Sequence, residues 1–176
     1  MNLWKAIGLS LSCLMLFVPS TNAATDLQAR KVVVLFFNAC VSHYPDFTRT
    51  EDWIEKVGLP ELQEKYSKVF LGGRKGKAWA ATDDSGEYVV TLIYEDSACS
   101  AIARRADTTM VAQYLERAFA TKKMKLRNDG FEIYDEQGFR RVATTYRGVA
   151  NGLDFTILLS LSDSSSAPVQ ALITMY

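Results

Sequence analysis

Apolar residues with helical spacing predict two helices within residues 25–58. Thr25 to Gln28 has the form of a capping box and opens a stretch that continues to Val41. The β-branched run Val32 to Val34 would also suit a buried strand, but the length of the stretch favours a helix. A second capping pattern, Thr48 to Glu51, predicts a short helix that ends at Gly58.

Two further helices are predicted, one before and one within the β-rich part of the chain. Pro60 starts a segment in which apolar residues recur with helical spacing up to the pair Gly72-Gly73. These apolar residues are Leu62, Tyr66, Val69 and Phe70. Asp107 is a typical N-cap residue and predicts a helix from Thr108 to about Thr121.

Alternation of apolar and polar residues predicts strands in the remaining segments. Asp83 to Gly86 and Asn151-Gly152 have the composition of hairpin turns. The second arm of the first hairpin is largely apolar in both alternating sets, so we expect it to be covered on both faces. The predicted strands are Lys77 to Thr82, Glu87 to Tyr94, Ala98 to Arg104, Met124 to Leu126, Phe131 to Tyr134, Phe139 to Arg147, Leu153 to Leu161 and Val169 to Tyr176.

The order of these elements predicts an α+β fold in a single domain, residues 24–176. N-terminal helices and one later helix are expected to pack on an antiparallel sheet of about six or seven strands. One strand alternates cleanly enough to assign its core side. We expect the core to receive Leu153, Phe155, Ile157, Leu159 and Leu161.

The first 23 residues have the pattern of a cleavable export signal. A start that contains Lys5 is followed by the apolar run Ala6 to Val18 and by small residues, with cleavage expected after Ala23. The alternative is a retained membrane anchor, but the run is shorter than the ~20 residues that span a bilayer. We therefore expect no membrane span after cleavage, and a periplasmic location, with secretion as the alternative. Cys13 is expected to leave with the signal.

The charge of the chain is balanced, with 20 Lys plus Arg and 20 Asp plus Glu. Loss of Lys5 with the signal leaves 19 basic against 20 acidic residues, which gives a formal charge of −1. Such a balance offers no bulk attraction for nucleic acid or an anionic membrane.

Two cysteines remain after signal cleavage, Cys40 and Cys99. A pair of cysteines in an oxidising compartment is usually bridged, so we predict a Cys40–Cys99 disulfide.

Several segments resemble a family of small exported proteobacterial proteins. The residues that carry the resemblance are Phe37 to Cys40 with Tyr44 to Asp46, Phe70 to Trp79, Ala98 to Asp107, and Ala167 to Ala171. The resemblance covers most of the mature chain and supports Cys40 and Cys99 as partners. The family has no activity that would transfer catalytic residues to this sequence.

A glycine-rich basic segment, Gly72 to Lys77, invites comparison with phosphate-binding loops. Leu71 stands where such a loop needs its first glycine, and Ala78 stands where it needs Ser or Thr. The predicted order is also helix then strand, the reverse of a phosphate-binding loop. We therefore interpret the segment as a basic turn and expect no bound nucleotide or other cofactor.

Cys40 and His43 are close enough in sequence to form a thiol–imidazole pair on a helix. A disulfide at Cys40 would remove the thiolate. His43 is the only histidine, so one His and two Cys fall short of a zinc site, and no metal ligands are assigned. No catalytic residue is assigned either.

Five arginines could form a basic patch for an acidic partner if their strands are neighbours. The alternative is that they are solvated charges on exposed strand faces. The five residues are Arg104, Arg105, Arg140, Arg141 and Arg147.

These observations favour a small non-enzymatic binding protein, of the inhibitor or immunity type, that engages another envelope or exported protein. The alternatives are a periplasmic hydrolase that uses His43 or carboxylates, and a small-ligand sensor.

Overall fold

The computed structural model describes residues 21–150 and 152–176, in which four α-helices pack on one seven-stranded sheet. The helices are α1 (Thr21–Phe36), continued by a π-helical turn (Phe37–Val41), α2 (Phe47–Val57), α3 (Glu64–Leu71) and α4 (Thr108–Thr121). The strands are β1 (Gly76–Asp83), β2 (Gly86–Ile93), β3 (Ala98–Ala103), β4 (Leu126–Glu136), β5 (Phe139–Ala150), β6 (Leu153–Leu161) and β7 (Ala171–Met175). The predicted α+β class is confirmed. The predicted signal segment lies outside the described residues, except for Thr21 to Ala23 at the start of α1.

The sheet is built from two antiparallel meanders that meet in its middle. Its strand order is β1-β2-β3-β7-β6-β5-β4, and every neighbouring pair is antiparallel. The first meander ends at the centre with β3. Helix α4 then carries the chain to the far edge, where β4 begins the second meander, which returns to the centre and pairs β7 with β3.

One face of the sheet, which we call the helix face, is covered by α1 and α4. Val32 and Phe36 of α1 and Val111 and Leu115 of α4 are fully buried there. They pack in one cluster with side chains of the central strands: Val90, Leu92, Ile157, Leu159 and Ile173. Because burying each such side chain stabilises the fold by about 1.5–3 kcal/mol, this layer is the main hydrophobic core.

A disulfide joins this helix layer to the sheet. Cys40 of the π-helical turn is bonded to Cys99 of β3, and their Cα atoms are 5.5 Å apart. Both residues are buried. The predicted bridge is confirmed.

The two short helices differ from their predicted starts. Helix α2 is capped by Asp46, whose carboxylate accepts hydrogen bonds from the backbone N–H groups of Thr48 (3.1 Å) and Arg49 (3.5 Å). The predicted cap, Thr48, already lies inside the helix because Asp46 reaches these donors first. Gly58 ends α2 with φ 75°, as predicted. Helix α3 begins at Glu64 rather than near Pro60.

Residues 60–62 form an extended segment along the outer edge of β1 instead of a first helical turn. The N–H of Leu62 donates to Ala78 O (2.8 Å), and the N–H of Ala80 donates to Pro60 O (3.0 Å). Pro60 disfavours a helical conformation in the residue before it and has no N–H to donate, which suits a position beside a strand. The edge of β1 is therefore partly covered.

The other face of the sheet, the open face, is covered mainly beside the first meander. Helix α3 contacts β1 and β2 there, and Phe70 and Leu62 pack against Ala78, Val89 and Ile102. This confirms that β2 is buried on both faces.

The second meander extends beyond the helices. The predicted strand Phe131 to Tyr134 is part of a longer strand, β4, which contains only Leu126 of the predicted strand Met124 to Leu126. The pairing of β4 with β5 shifts register between Asn128 and Phe131. Leu153 was expected in the core but is 48% exposed, because it pairs with Ala150 at the tip of the β5–β6 hairpin. Leu161 is only partly buried, whereas Phe155, Ile157 and Leu159 are buried as predicted.

Candidate functional site

The basic turn after α3 is occupied by internal contacts. Gly72 and Gly73 have positive φ angles (58° and 77°) that end the helix. The side chain of Arg74 donates to Leu71 O (3.1 Å) and pairs with Asp96. Lys77 Nζ lies 2.5 Å from Glu51 Oε2. These pairings support the interpretation of the segment as a basic turn.

His43 lies beside the disulfide and has an aromatic neighbour. Its ring centroid is 6.4 Å from that of Trp53, and no hydrogen bond joins its ring to another described side chain. Because Cys40 is oxidised, the predicted thiol–imidazole pair has no thiolate. The hydrolase alternative therefore loses its cysteine nucleophile.

The five arginines do not form one patch. Arg104 follows β3, and Arg140 and Arg141 begin β5, but β7 and β6 lie between these strands. Arg147 lies seven residues further along β5, about 23 Å from Arg140, and pairs with Asp129 at 2.9 Å. Arg105 bonds to Ser165 O. The condition for a single patch, neighbouring strands, is not met.

Arg104 and Arg141 nevertheless face the same cavity on the open face. Strands β3 and β5 run in opposite directions, so the last residues of β3 and the first residues of β5 lie at the same end of the strands. Both arginines line a cavity of about 460 Å³, together with Glu87 and Glu136. We call this space the arginine cavity.

Each arginine of the arginine cavity is paired with a carboxylate. Arg104 Nη1 lies 2.9 Å from Glu87 Oε2, and both side chains are exposed over about half their surface. Arg141 Nε lies 2.5 Å from Glu136 Oε2. The cavity therefore contains two cationic and two anionic groups.

Arg141 is an unusual arginine because it is 5% exposed. Its Nη2 donates to Val169 O (2.8 Å), and its Nη1 lies 3.4 Å from Ser160 Oγ. Its Nε makes no aligned hydrogen bond, although Glu136 is close. A buried guanidinium needs anionic and hydrogen-bonding partners, because its transfer from water costs several kcal/mol. The interpretation of Arg141 as a solvated surface charge is wrong.

A second cavity adjoins the first along the same face. It has a volume of about 550 Å³ and shares Phe70, Ile102 and Leu172 with the arginine cavity. Hydroxyl groups lie in its floor, where Ser100 Oγ and Thr174 Oγ1 are 2.9 Å apart. Together the two cavities form a groove with an apolar centre and polar ends.

The far edge of the sheet is a separate candidate surface. Strand β4 pairs only with β5 among the described strands and is exposed over nearly its whole length. Phe131 and Ile133 are 69% and 51% exposed. They oppose Thr144 and Val142 of β5, which places them on the helix face beyond the cover of α4.

Most of these residues could not be assigned to a site from the sequence. The sequence gives no sign that Glu87, Glu136 and Phe70 line one cavity, since this depends on strands and helices that are distant in sequence. The alternation of Phe131 and Ile133 was visible, but alternation predicts a strand and does not show whether its apolar side is covered.

Comparison with known proteins adds no functional information. No family model matches the chain, and no curated protein matches it. Residues 21–150 and 152–176 contain no group of three or more His, Cys, Asp or Glu side chains arranged to hold a metal ion. In that same part of the chain, no helix is long and apolar enough to cross a membrane.

Proposed function

We propose that the protein is an exported, non-enzymatic binding protein that engages another envelope or exported protein through the edge of β4. The observation that carries this proposal is the combination of an unpaired strand edge with the exposed side chains Phe131 and Ile133. An extended segment of a partner would add to the sheet as an eighth strand. Its backbone would pair with β4, and its apolar side chains would cover Phe131 and Ile133.

The two edges of the sheet support this choice of surface. At the edge of β1, residues 60–62 already use two backbone hydrogen bonds. At the edge of β4, the structure describes no segment in the corresponding position. Proteins usually protect an open edge with charges, bulges or short strands, because unpaired N–H and C=O groups attract other strands. Strand β4 carries charged residues and an irregularity between Asn128 and Phe131, but it has eleven residues and also exposes two large apolar side chains.

The geometry limits the paired region to the second part of β4. Gly130 has φ 101°, and the register shift between Asn128 and Phe131 interrupts the regular ladder. From Phe131 to Glu136 the pairing with β5 is regular. A partner segment of about six residues would match this length.

The charge of β4 defines the chemistry of the partner. Glu132 and Asp135 are exposed, and neither takes part in an ion pair with another described residue. In a segment that alternates apolar with basic residues, the apolar side chains would cover Phe131 and Ile133 on the helix face, and the basic ones would face Glu132 on the open face. An inhibitor or an immunity-type protein would use an interface of this kind.

Export is part of the proposal and rests on two observations. The first is the signal pattern of residues 1–23. The second is the buried Cys40–Cys99 disulfide, since such bonds persist in oxidising compartments. The periplasm is the compartment that we propose, because the same sequence resembles small exported proteobacterial proteins.

Affinity purification from the native envelope with three tagged proteins tests the β4 edge. Wild type, Ile133→Lys and the control Val57→Lys would be compared, because Val57 on α2 is 49% exposed and Ile133 is 51% exposed. We expect one protein to be recovered with wild type and the control, and to be lost with Ile133→Lys. Binding would then be measured with the purified partner.

Hydrogen exchange on the purified complex gives the decisive readout. We expect slower amide exchange in residues 131–136 on binding, with little change in β1. Protection elsewhere, or equal recovery of the partner by Ile133→Lys and wild type, would show that β4 is not the binding edge. A change of oligomeric state in Ile133→Lys alone would assign the edge to self-association and contradict the proposal.

A further inference from the structure

The arginine cavity contains a buried cation whose anionic partner is half-exposed. Glu136, which lies next to Nε of Arg141, is 53% exposed at the side chain. It ends β4 immediately before a tight turn in which Gln137 and Gly138 have positive φ angles of 53° and 83°. No other carboxylate of the described residues forms an ion pair with Arg141. An incoming anion can therefore take the place of Glu136 without moving a packed element.

The guanidinium of Arg141 has capacity for such an anion. A guanidinium carries five N–H donors, and the contacts with Val169 and Ser160 use two of them. Its planar fork matches the two oxygens of a carboxylate, and the low polarity of the buried position strengthens the interaction. Arg104, on the opposite side of the cavity, supplies further donors beside Glu87.

The apolar part of the ligand is defined by the surface between the two arginines. Val89, Ile102 and Leu172 lie there, and Phe70 of α3 forms a side wall. The second cavity continues this apolar surface past Phe70. A volume of about 460 Å³ lies in the range of sites that hold small molecules.

The charge balance of the cavity favours a single negative charge on the ligand. Two arginines face two glutamates, so a dianion such as a phosphate monoester would be repelled by Glu87 as well as Glu136. A carboxylate that displaces Glu136 preserves the balance.

We propose that the arginine cavity binds small amphipathic carboxylates, with the carboxylate on Arg141 in place of Glu136 and the apolar chain on Ile102 and Leu172. This site shares only Glu136 with the β4 edge, because Phe131 and Ile133 lie on the helix face of the sheet.

Calorimetric titration with decanoate and decan-1-ol, which share one chain length, tests the proposal on the full mature protein. We expect decanoate to bind at least about tenfold more tightly than the alcohol, because charge-assisted hydrogen bonds add to the apolar contact. Amide chemical shifts should change at residues 102–104 and 139–141 on addition of decanoate. Equal affinity for acid and alcohol would overturn the proposal.

Three variants separate this site from general apolar binding. Glu136→Gln should bind decanoate more tightly than wild type, because the internal competitor is lost. Arg104→Gln should bind it several-fold more weakly. The control is Arg147→Gln, which removes an arginine of similar exposure (61% against 56% at the side chain) at the other end of β5, and it should bind as wild type does.

Other outcomes of the same titrations contradict the site. If Glu136→Gln binds decanoate no better than wild type, or if Arg147→Gln is weakened as much as Arg104→Gln, the carboxylate is not bound at Arg141. A hexapeptide of alanine and leucine with a free carboxyl end serves as a further probe. If it binds in the groove and decanoate does not, the ligand is a peptide and the proposal is wrong.

Discussion

Cys40 and Cys99 connect the helix layer to the central strand β3, with their Cα atoms 5.5 Å apart. The bond closes a loop with a sequence separation of 59 residues. In the chain-entropy model, a loop of this length corresponds to about 4 kcal/mol of stabilisation. We expect Cys40→Ala and Cys99→Ala to lower the melting temperature by similar amounts, and the double variant to cost little more, because one bond is lost in all three.

Calorimetry of the three variants beside wild type checks this prediction. If the melting temperature of the double variant fell by the sum of the two single decreases, the cysteines would stabilise the fold independently.

The pair of Lys31 and Asp83 predicts a change of stability at acid pH. Hydrogen bonds from Lys31 Nζ (2.7 Å) and from Ser85 lower the pKa of Asp83 from 3.8 to about 2. Because the pKa is lower in the folded than in the unfolded state, this stabilisation is fully present above about pH 4. It is lost as the pH falls towards 2.

Asp83→Asn tests this dependence. Its melting temperature should lie below that of wild type at pH 6, and the gap should narrow between pH 4 and pH 2. Asp84→Asn is the control, since the exposed Asp84 forms no ion pair in the described structure. A gap that stays constant for Asp83→Asn across this range would contradict the assignment.

The N-cap of α2 gives a prediction in which sequence and structure disagree. The structure assigns the cap to Asp46, whereas the capping-box pattern indicated Thr48. Asp46→Ala should lower the free energy of unfolding by about 1 kcal/mol, and Thr48→Ala should lower it by less. Urea unfolding measures both values. A larger loss for Thr48→Ala would restore the sequence-based assignment.

Asparagine is expected to be better tolerated than alanine at one glycine, Gly138, but not at another, Gly76. At Gly76, a Cβ atom would overlap the carbonyl oxygen of Leu92, so alanine and asparagine should both destabilise β1 by about 1–3 kcal/mol. At Gly138, φ is 83° and no atom lies within 4 Å of the added Cβ. Asparagine tolerates this conformation better than alanine does. Gly138→Asn should therefore be more stable than Gly138→Ala by urea unfolding, and the same pair at Gly76 should show no such recovery.

Local features of this fold were predictable because their causes are local. The start of α4 at Asp107 follows from one side chain that accepts a hydrogen bond from the N–H of Met110 three residues later. The hairpin between β1 and β2 follows from turn residues between two apolar runs. The disulfide was predictable because only Cys40 and Cys99 lie outside the predicted signal segment.

The candidate site was not predictable, because it is made by contacts between distant segments. Arg141 and Val169 are 28 residues apart, and their hydrogen bond depends on the return of the second meander to the centre of the sheet. Nothing near Arg141 in the sequence distinguishes it from Arg140, which is exposed. The cover of β1 by residues 60–62 was missed for a related reason, since helical spacing in the next residues extended the predicted helix too far.

The two halves of the sheet are joined by the five residues of β7, Ala171–Met175. Strand β7 ends the second meander, and its pairing with β3 is the only strand pairing that joins the two meanders in the described part of the chain. It is also the last described strand in chain order, and Ala171–Met175 lies between β3 of the first half of the sheet and β6 of the second. Cys40 and Cys99 both belong to the first half. The disulfide therefore stabilises one half of the sheet, and the joining of the two halves depends on noncovalent contacts.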